Sequence, residues 1–119
     1  MQQHVVLAID VGGTKLAVGV VDEEGRVLEN RRAPNPNPPA GDGEAVFRSL
    51  LVLIDDLDAD RSAYVGVGVG CGGPMRWPAG EVSPLNIPSW RDFPLRARLA
   101  EEFGLPVRLH NDAICLAVA

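Results

Sequence analysis

Val5-Val6-Leu7-Ala8-Ile9 is an unbroken apolar run, mostly β-branched, that leads directly into Asp10-Val11-Gly12-Gly13-Thr14-Lys15. A run this short and this uniformly apolar reads as a strand buried on both faces. Asp10 ends it, and Gly12-Gly13 make the turn. Leu16 to Val21 then returns as a second strand, rich in valine. Asp22-Glu23-Glu24-Gly25 is a hairpin turn in which Gly25 suits a positive φ. Arg26 to Arg32 is a third strand that alternates more and grows polar, as an edge strand does.

Working outward from this meander, Ala33-Pro34-Asn35-Pro36-Asn37-Pro38-Pro39 blocks helix and sheet alike and reads as an exposed, extended loop. Glu44 to Leu57 is a helix whose Val46, Phe47, Leu50, Leu51, Ile54 and Leu57 recur on one side. Val65, Val67 and Val69 alternate with Gly66, Gly68 and Gly70, a strand with one bare face against which something packs or binds closely. Gly72-Gly73-Pro74 breaks it, and residues 75–90 read as loop or short hairpin. Asp92 is placed to N-cap a helix containing Pro94, with Leu95, Leu99 and Phe103 facing the core and Gly104 closing it. Pro106 to His110 is another strand, and Ala113 to Ala119 begins an apolar helix. A strand meander followed by helix-linked strands is the α/β, ribonuclease-H-like pattern. Right-handed crossovers then predict a mixed five-stranded sheet in the order 3-2-1-4-5, flanked by helices, with Arg26 to Arg32 on the edge.

Composition narrows the function classes. The 119 residues are 46% hydrophobic and 23% charged, ordinary globular usage that fits one domain over residues 1–119. The net charge of −5 leaves no basic stripe for a phosphate backbone, so no nucleic-acid partner is expected. No apolar run approaches the roughly 20 residues of a membrane helix, so no membrane partner is expected either. The opening Met1-Gln2-Gln3-His4 has no charged n-region, so no signal peptide is expected. Cys71 and Cys115 lack CxxC spacing and read as reduced thiols in a cytoplasmic protein. With two histidines and no clustered cysteines, no zinc site is expected within the chain.

Four motifs can carry chemistry. In Asp10-Val11-Gly12-Gly13-Thr14-Lys15 the glycines let backbone N–H groups approach an anion, Thr14 and Lys15 add donors, and Asp10 can hold a hydrated magnesium ion. The plainer alternative is a β-turn with an exposed lysine. Gly68-x-Gly70-x-x-Gly73 has the letters of a dinucleotide fingerprint, but Pro74 and Pro78 follow where a helix must start. It reads instead as the glycine floor of a pocket, or as a strand thinned for helix packing. His110-Asn111-Asp112 leaves a strand and enters a helix. Asp112 suits either a general base beside an amide that binds a hydroxyl, or a helix N-cap. In Asn86-Ile87-Pro88-Ser89-Trp90 the asparagine can face a polar ligand, or the tryptophan can simply plug the core.

Taken in order, Asp10-x-Gly-Gly-Thr-Lys15, Gly70-x-Gly-Gly-Pro74, Asn86-Ile-Pro-x-Trp90 and Asn111-Asp112-Ala113 resemble the N-terminal lobe of the ROK family (repressor, open reading frame, kinase), which includes bacterial glucokinases. The resemblance implies an actin-like ATPase lobe and transfer of the ATP γ-phosphate to a hexose hydroxyl with magnesium. It implies that Asp10, Gly12, Gly13, Thr14 and Lys15 meet the ATP phosphates and magnesium. Asp112 is then the base, Asn111 a sugar ligand, and Gly72, Gly73 and Asn86 line the same pocket. It further implies a second lobe carrying the adenine and zinc sites beyond this chain, a homo-oligomer in the complete protein, and no activity of this chain alone. Two other readings are a sugar-responsive regulator without its DNA-binding domain and a non-catalytic nucleotide-binding module.

Overall fold

The computed structural model describes residues 4–36, 43–71, 75–76, 81–82 and 93–110. Its main sheet is built from β1 (Val5–Val11), β2 (Lys15–Val21), β3 (Val27–Pro34), β4 (Tyr64–Cys71) and, after two short strands, β7 (Val107–His110). The order is β3-β2-β1-β4-β7, so the fifth strand of the expected 3-2-1-4-5 arrangement is β7. The two short strands, β5 (Met75–Arg76) and β6 (Glu81–Val82), pair antiparallel as a separate hairpin within the stretch read as loop or hairpin. β1 is central, antiparallel to β2 and parallel to β4, and β3 is the edge.

Strand periodicity sorts the side chains into two unlike faces. Leu7 lies opposite Val20 and Val67, and Ile9 opposite Val18 and Val69. These residues form one core with Val46, Phe47, Leu50 and Ile54 of α1 (Gly43–Asp55) and Leu95 and Leu99 of α2 (Leu95–Phe103). Fully burying such an aliphatic side chain contributes about 1.5–3 kcal/mol, so this face supplies most of the stability. The other face carries Val6, Ala8 and Asp10 opposite Val21, Gly19 and Ala17 on β2 and Gly66, Gly68 and Gly70 on β4. The expectation that Val5 to Ile9 is buried on both faces fails at Val6, which is 36% exposed, because the helices of the core cluster cover only the other face.

The two helices are also tied to each other. The Arg98 guanidinium lies 4.5 Å from the Phe47 ring centroid and bonds the Glu44 carboxylate at 2.8 Å. The Phe47 and Phe93 rings stand 5.8 Å apart, centroid to centroid. At its C-terminal end α2 closes on Gly104, left-handed at φ 66°, whose N–H donates to the Ala100 carbonyl.

Several local expectations shift. β1 runs through Val11, so Asp10 lies within the strand rather than ending it. β3 runs to Pro34 instead of stopping at Arg32, an edge position where proline's missing N–H costs no ladder bond. Asn35, expected in an exposed loop, is buried. α1 ends at Asp55, and Leu57 reaches the core from the turn that follows, its N–H donating to the Ile54 carbonyl. The N-cap of α2 falls on Pro94, which has no side-chain acceptor, and not on Asp92, which lies outside the described residues. A register shift between Val5 and Val6 makes Val65 the extra residue of a bulge. Val65 is therefore turned out, 48% exposed, while Tyr64 joins Val67 and Val69 in the core.

Candidate functional site

All three parallel strands, β1, β4 and β7, finish at the same edge of the sheet, since Val11 lies opposite Cys71 and Gly70 opposite His110. In α/β sheets this carboxyl edge is where ligands gather. The turn after β1 is tight. The Gly12 N–H donates to the Lys15 carbonyl at 2.9 Å, and a Cβ on Gly12 would come within 3.1 Å of that same oxygen. Glycine is needed here for space rather than for a left-handed backbone, because the positive φ values belong to Gly25 and Gly104.

Asn35 holds this turn from the far strand. Its side-chain amide donates to the Gly12 carbonyl at 2.7 Å, and its backbone N–H donates to the Thr14 carbonyl at 2.9 Å. With the turn's carbonyls engaged inward, Thr14 and Lys15 project to solvent. They line a cavity of about 270 Å³ together with Arg32, Ala33 and Pro34.

Asp10 sits half-buried on the small-residue face between Ala17 and Gly70, in one row with Arg32 of the cavity wall. Burial pushes its carboxyl above the usual carboxylate range, and the positive charge of Arg32 partly opposes that. Among the described residues no hydrogen bond contributes to holding its charged form. A hard oxygen donor in this condition is suited to a divalent cation, which would relieve the desolvated charge.

Of the residues singled out in the sequence, the fold brings together Asp10, Gly12, Gly13, Thr14 and Lys15. Gly72, Gly73, Asn86, Asn111 and Asp112 lie outside the described residues, although Cys71 and His110, which precede two of these groups, end strands at the same edge. Among the described residues no group of three or more His, Cys, Asp or Glu side chains is arranged to hold a metal ion, and no helix is long and apolar enough to cross a membrane. Arg32 and Asn35 were not anticipated. Alternation along β3 was a usable signal for Arg32. The burial of Asn35 depends on β2–β3 pairing and left no local mark.

The ROK family model matches residues 6–119. This chain belongs to the ROK family. It is 34% identical over 107 residues to a glucokinase from Streptomyces coelicolor, covering 90% of this chain and 32% of that protein. It is 34% identical over 110 residues to an N-acetyl-D-glucosamine kinase from Citrobacter koseri, covering 92% of this chain and 35% of that one. Among solved structures it is similar to a ROK family glucokinase from Streptomyces griseus in complex with glucose and AMPPNP. That match has a TM-score of 0.74 at 32% identity over 90% of this chain and 33% of the other. The ROK chain thus spans about a third of the length of these relatives. Its sheet order and these matches give it the actin-like ATPase fold.

Proposed function

We propose that this ROK chain is the N-terminal lobe of an ATP-dependent sugar kinase that phosphorylates a hexose, with glucose as the first candidate. The observation that carries the reading is the glycine turn. Its backbone is fixed by Asn35, Thr14 and Lys15 line a cavity, and the desolvated Asp10 carboxylate shares a row with Arg32 of that cavity's wall. This is the arrangement a magnesium-bound polyphosphate requires, with donors and a cation for the phosphate oxygens and a hard oxygen for the metal. The similarity to glucokinase and N-acetylglucosamine kinase supports the sugar as acceptor.

In this reading Gly13, Thr14 and Lys15 hold the ATP phosphates, Gly12, whose N–H is taken by the Lys15 carbonyl, contributes the close backbone approach of the turn, and Asp10 would hold the hydrated magnesium. The chemistry the ion supplies is neutralisation of charge on the phosphate oxygens. Asn111 binds a sugar hydroxyl, with Gly72, Gly73 and Asn86 lining the same pocket. Asp112 accepts the proton of the attacking hydroxyl as its oxygen bonds to the terminal phosphorus and ADP departs. Most of the acceleration comes from positioning and charge stabilisation rather than covalent chemistry.

The test is Asp112→Asn in the full-length protein, followed by ADP release with glucose and with N-acetylglucosamine. Loss of the base should lower kcat by about 100-fold or more while leaving the sugar KM nearly unchanged. Asn caps a helix as well as Asp does, so the fold should survive. A near-normal kcat would leave Asp112 as a cap and sink the assignment.

A further inference from the structure

We infer that Arg32 is a second phosphate-binding cation of this site, reaching the nucleotide's triphosphate from β3, across the cavity from the glycine turn. The inference rests on the reading of that turn as a phosphate site and adds to it a residue that the motif does not contain. Three observations converge on it.

The first is register. Ala17 of β2 lies opposite both Asp10 of β1 and Arg32 of β3, so the three share one row on the small-residue face. Strands stand about 4.8 Å apart, which puts the Arg32 backbone roughly 10 Å from that of Asp10. The β2 residue between them is Ala17, whose side chain is a methyl group. A guanidinium on its long stem can cover much of that distance.

The second is the cavity. Arg32 lines it together with Thr14 and Lys15. Two cations from different strands, converging on one opening in a chain of net charge −5, mark that opening as a place for an anion.

The third is pairing. Arg26, Arg31, Arg61 and Arg98 each form an ion pair with an acidic side chain. Among the described residues Arg32, like Arg48 and Arg108, forms no ion pair, but of these three it is Arg32 that lines the cavity and whose charge Asp10 feels. Arg31, the next residue along β3, lies opposite Val18 on the other face and is engaged by Glu29, Asp56 and Asp58. The two arginines therefore differ in face and in partners while sharing strand and charge.

The charge layout also fits the ligand class. Two cations lining one opening, with a carboxylate in the same row as one of them, match a magnesium triphosphate, whose metal end seeks Asp10 and whose phosphate oxygens seek Lys15 and Arg32. A neutral sugar would gain nothing from the two cations. A guanidinium adds two parallel N–H donors that suit phosphate oxygens.

The experiment is calorimetric titration of magnesium tripolyphosphate, which has no adenosine, into the full-length protein and its variants, with KM for ATP measured alongside. Arg32→Ala should weaken tripolyphosphate binding and raise the ATP KM, each by about tenfold, the scale of losing one charge-assisted contact. The sugar KM should stay unchanged. Arg32→Lys should restore part of the loss. Arg31→Ala, which removes the same charge from the same strand but the opposite face, should bind like the parent protein. If Lys15→Ala weakens binding and Arg32→Ala does not, the turn keeps its role and this inference falls alone. If Arg31→Ala weakens binding as much as Arg32→Ala, the effect is net charge and the inference also falls. If the parent protein does not bind tripolyphosphate, the turn's assignment falls and takes Arg32 with it.

Discussion

Asp10 is held in a state that favours its neutral form, and this has a measurable consequence for stability. Burial raises its folded pKa above the unfolded value, so between the two the folded state binds more protons than the unfolded one. Stability contributed at this position is therefore lost as pH rises through that window, and the ionised carboxylate is a liability at neutral pH. Asp10→Asn removes the liability. The variant should melt at a higher temperature than the parent at pH 7, and the gap should close once the pH falls below the ordinary carboxylate range. Thermal melts across pH measure this. A variant less stable than the parent at pH 7 would show that Asp10 is held by interactions that favour its charge. If Asp10 holds magnesium as proposed, the same variant should lose any added stability that magnesium and ATP confer on the parent, the usual exchange of stability for function at a binding site. Asp22 shows the opposite arrangement. Its carboxylate accepts the backbone N–H groups of Arg26 and Glu24 and the Arg26 side chain, which holds its pKa below the usual range. It is a structural anion, and it lies in a turn whose Gly25 takes φ 83° as expected.

At the level of elements, the β2–β3 hairpin is what gives the glycine turn its shape. β3 carries Arg32 to the cavity and then delivers Asn35 beneath Gly12. The Asn35 amide is a donor to a carbonyl, a role that an ionised carboxylate cannot fill. Asn35→Asp should therefore cost about 1–3 kcal/mol near pH 7, the scale of leaving a partly buried acceptor unsatisfied. Part of the loss should return in acid, where the protonated carboxyl can donate. Urea unfolding at two pH values checks this. Equal stability of the parent and Asn35→Asp at pH 7 would mean that the bond to Gly12 does not organise the turn. Much of the element structure was legible in the sequence because it is written in periodicity. Examples are the apolar run that places Leu7 and Ile9 in a strand, the helical spacing of Val46, Leu50 and Ile54, and the closure of α2 at Gly104. Other features depend on partners that no local pattern reveals. The Val-Gly alternation of β4 continues unbroken through the bulge at Val65, so nothing marks the residue at which the register slips. The prolines around Asn35 suggested an exposed loop, and its burial follows only from the pairing of β3 with β2.

Across the whole molecule, Asp10, the residue proposed for the metal, lies in the part with the least freedom to move. β1 is hydrogen-bonded on both sides, by β2 and by β4, and its Leu7 and Ile9 have no exposed surface. β3 and β7 lie at the ends of the sheet. β7 pairs with β4 over four positions, from Val67–Val107 to Gly70–His110, and β3 exposes Val27 and Leu28. Local opening is governed by how much apolar contact and how many ladder bonds must break, so the edges should open before the centre. Native-state hydrogen exchange tests this amide by amide, comparing only N–H groups bonded to a neighbouring strand. The slowest should be those of β1 and of β4 around Val67 and Val69. Bonded amides of β3 and β7 should exchange at least about tenfold faster, through openings that leave β1 intact. If β7 amides match those of β1, the sheet opens only as a unit and the gradient does not exist. The gradient matters for the proposed function, in which Asp10 must be held to within about 0.5 Å to serve a metal. A central, doubly paired strand provides that.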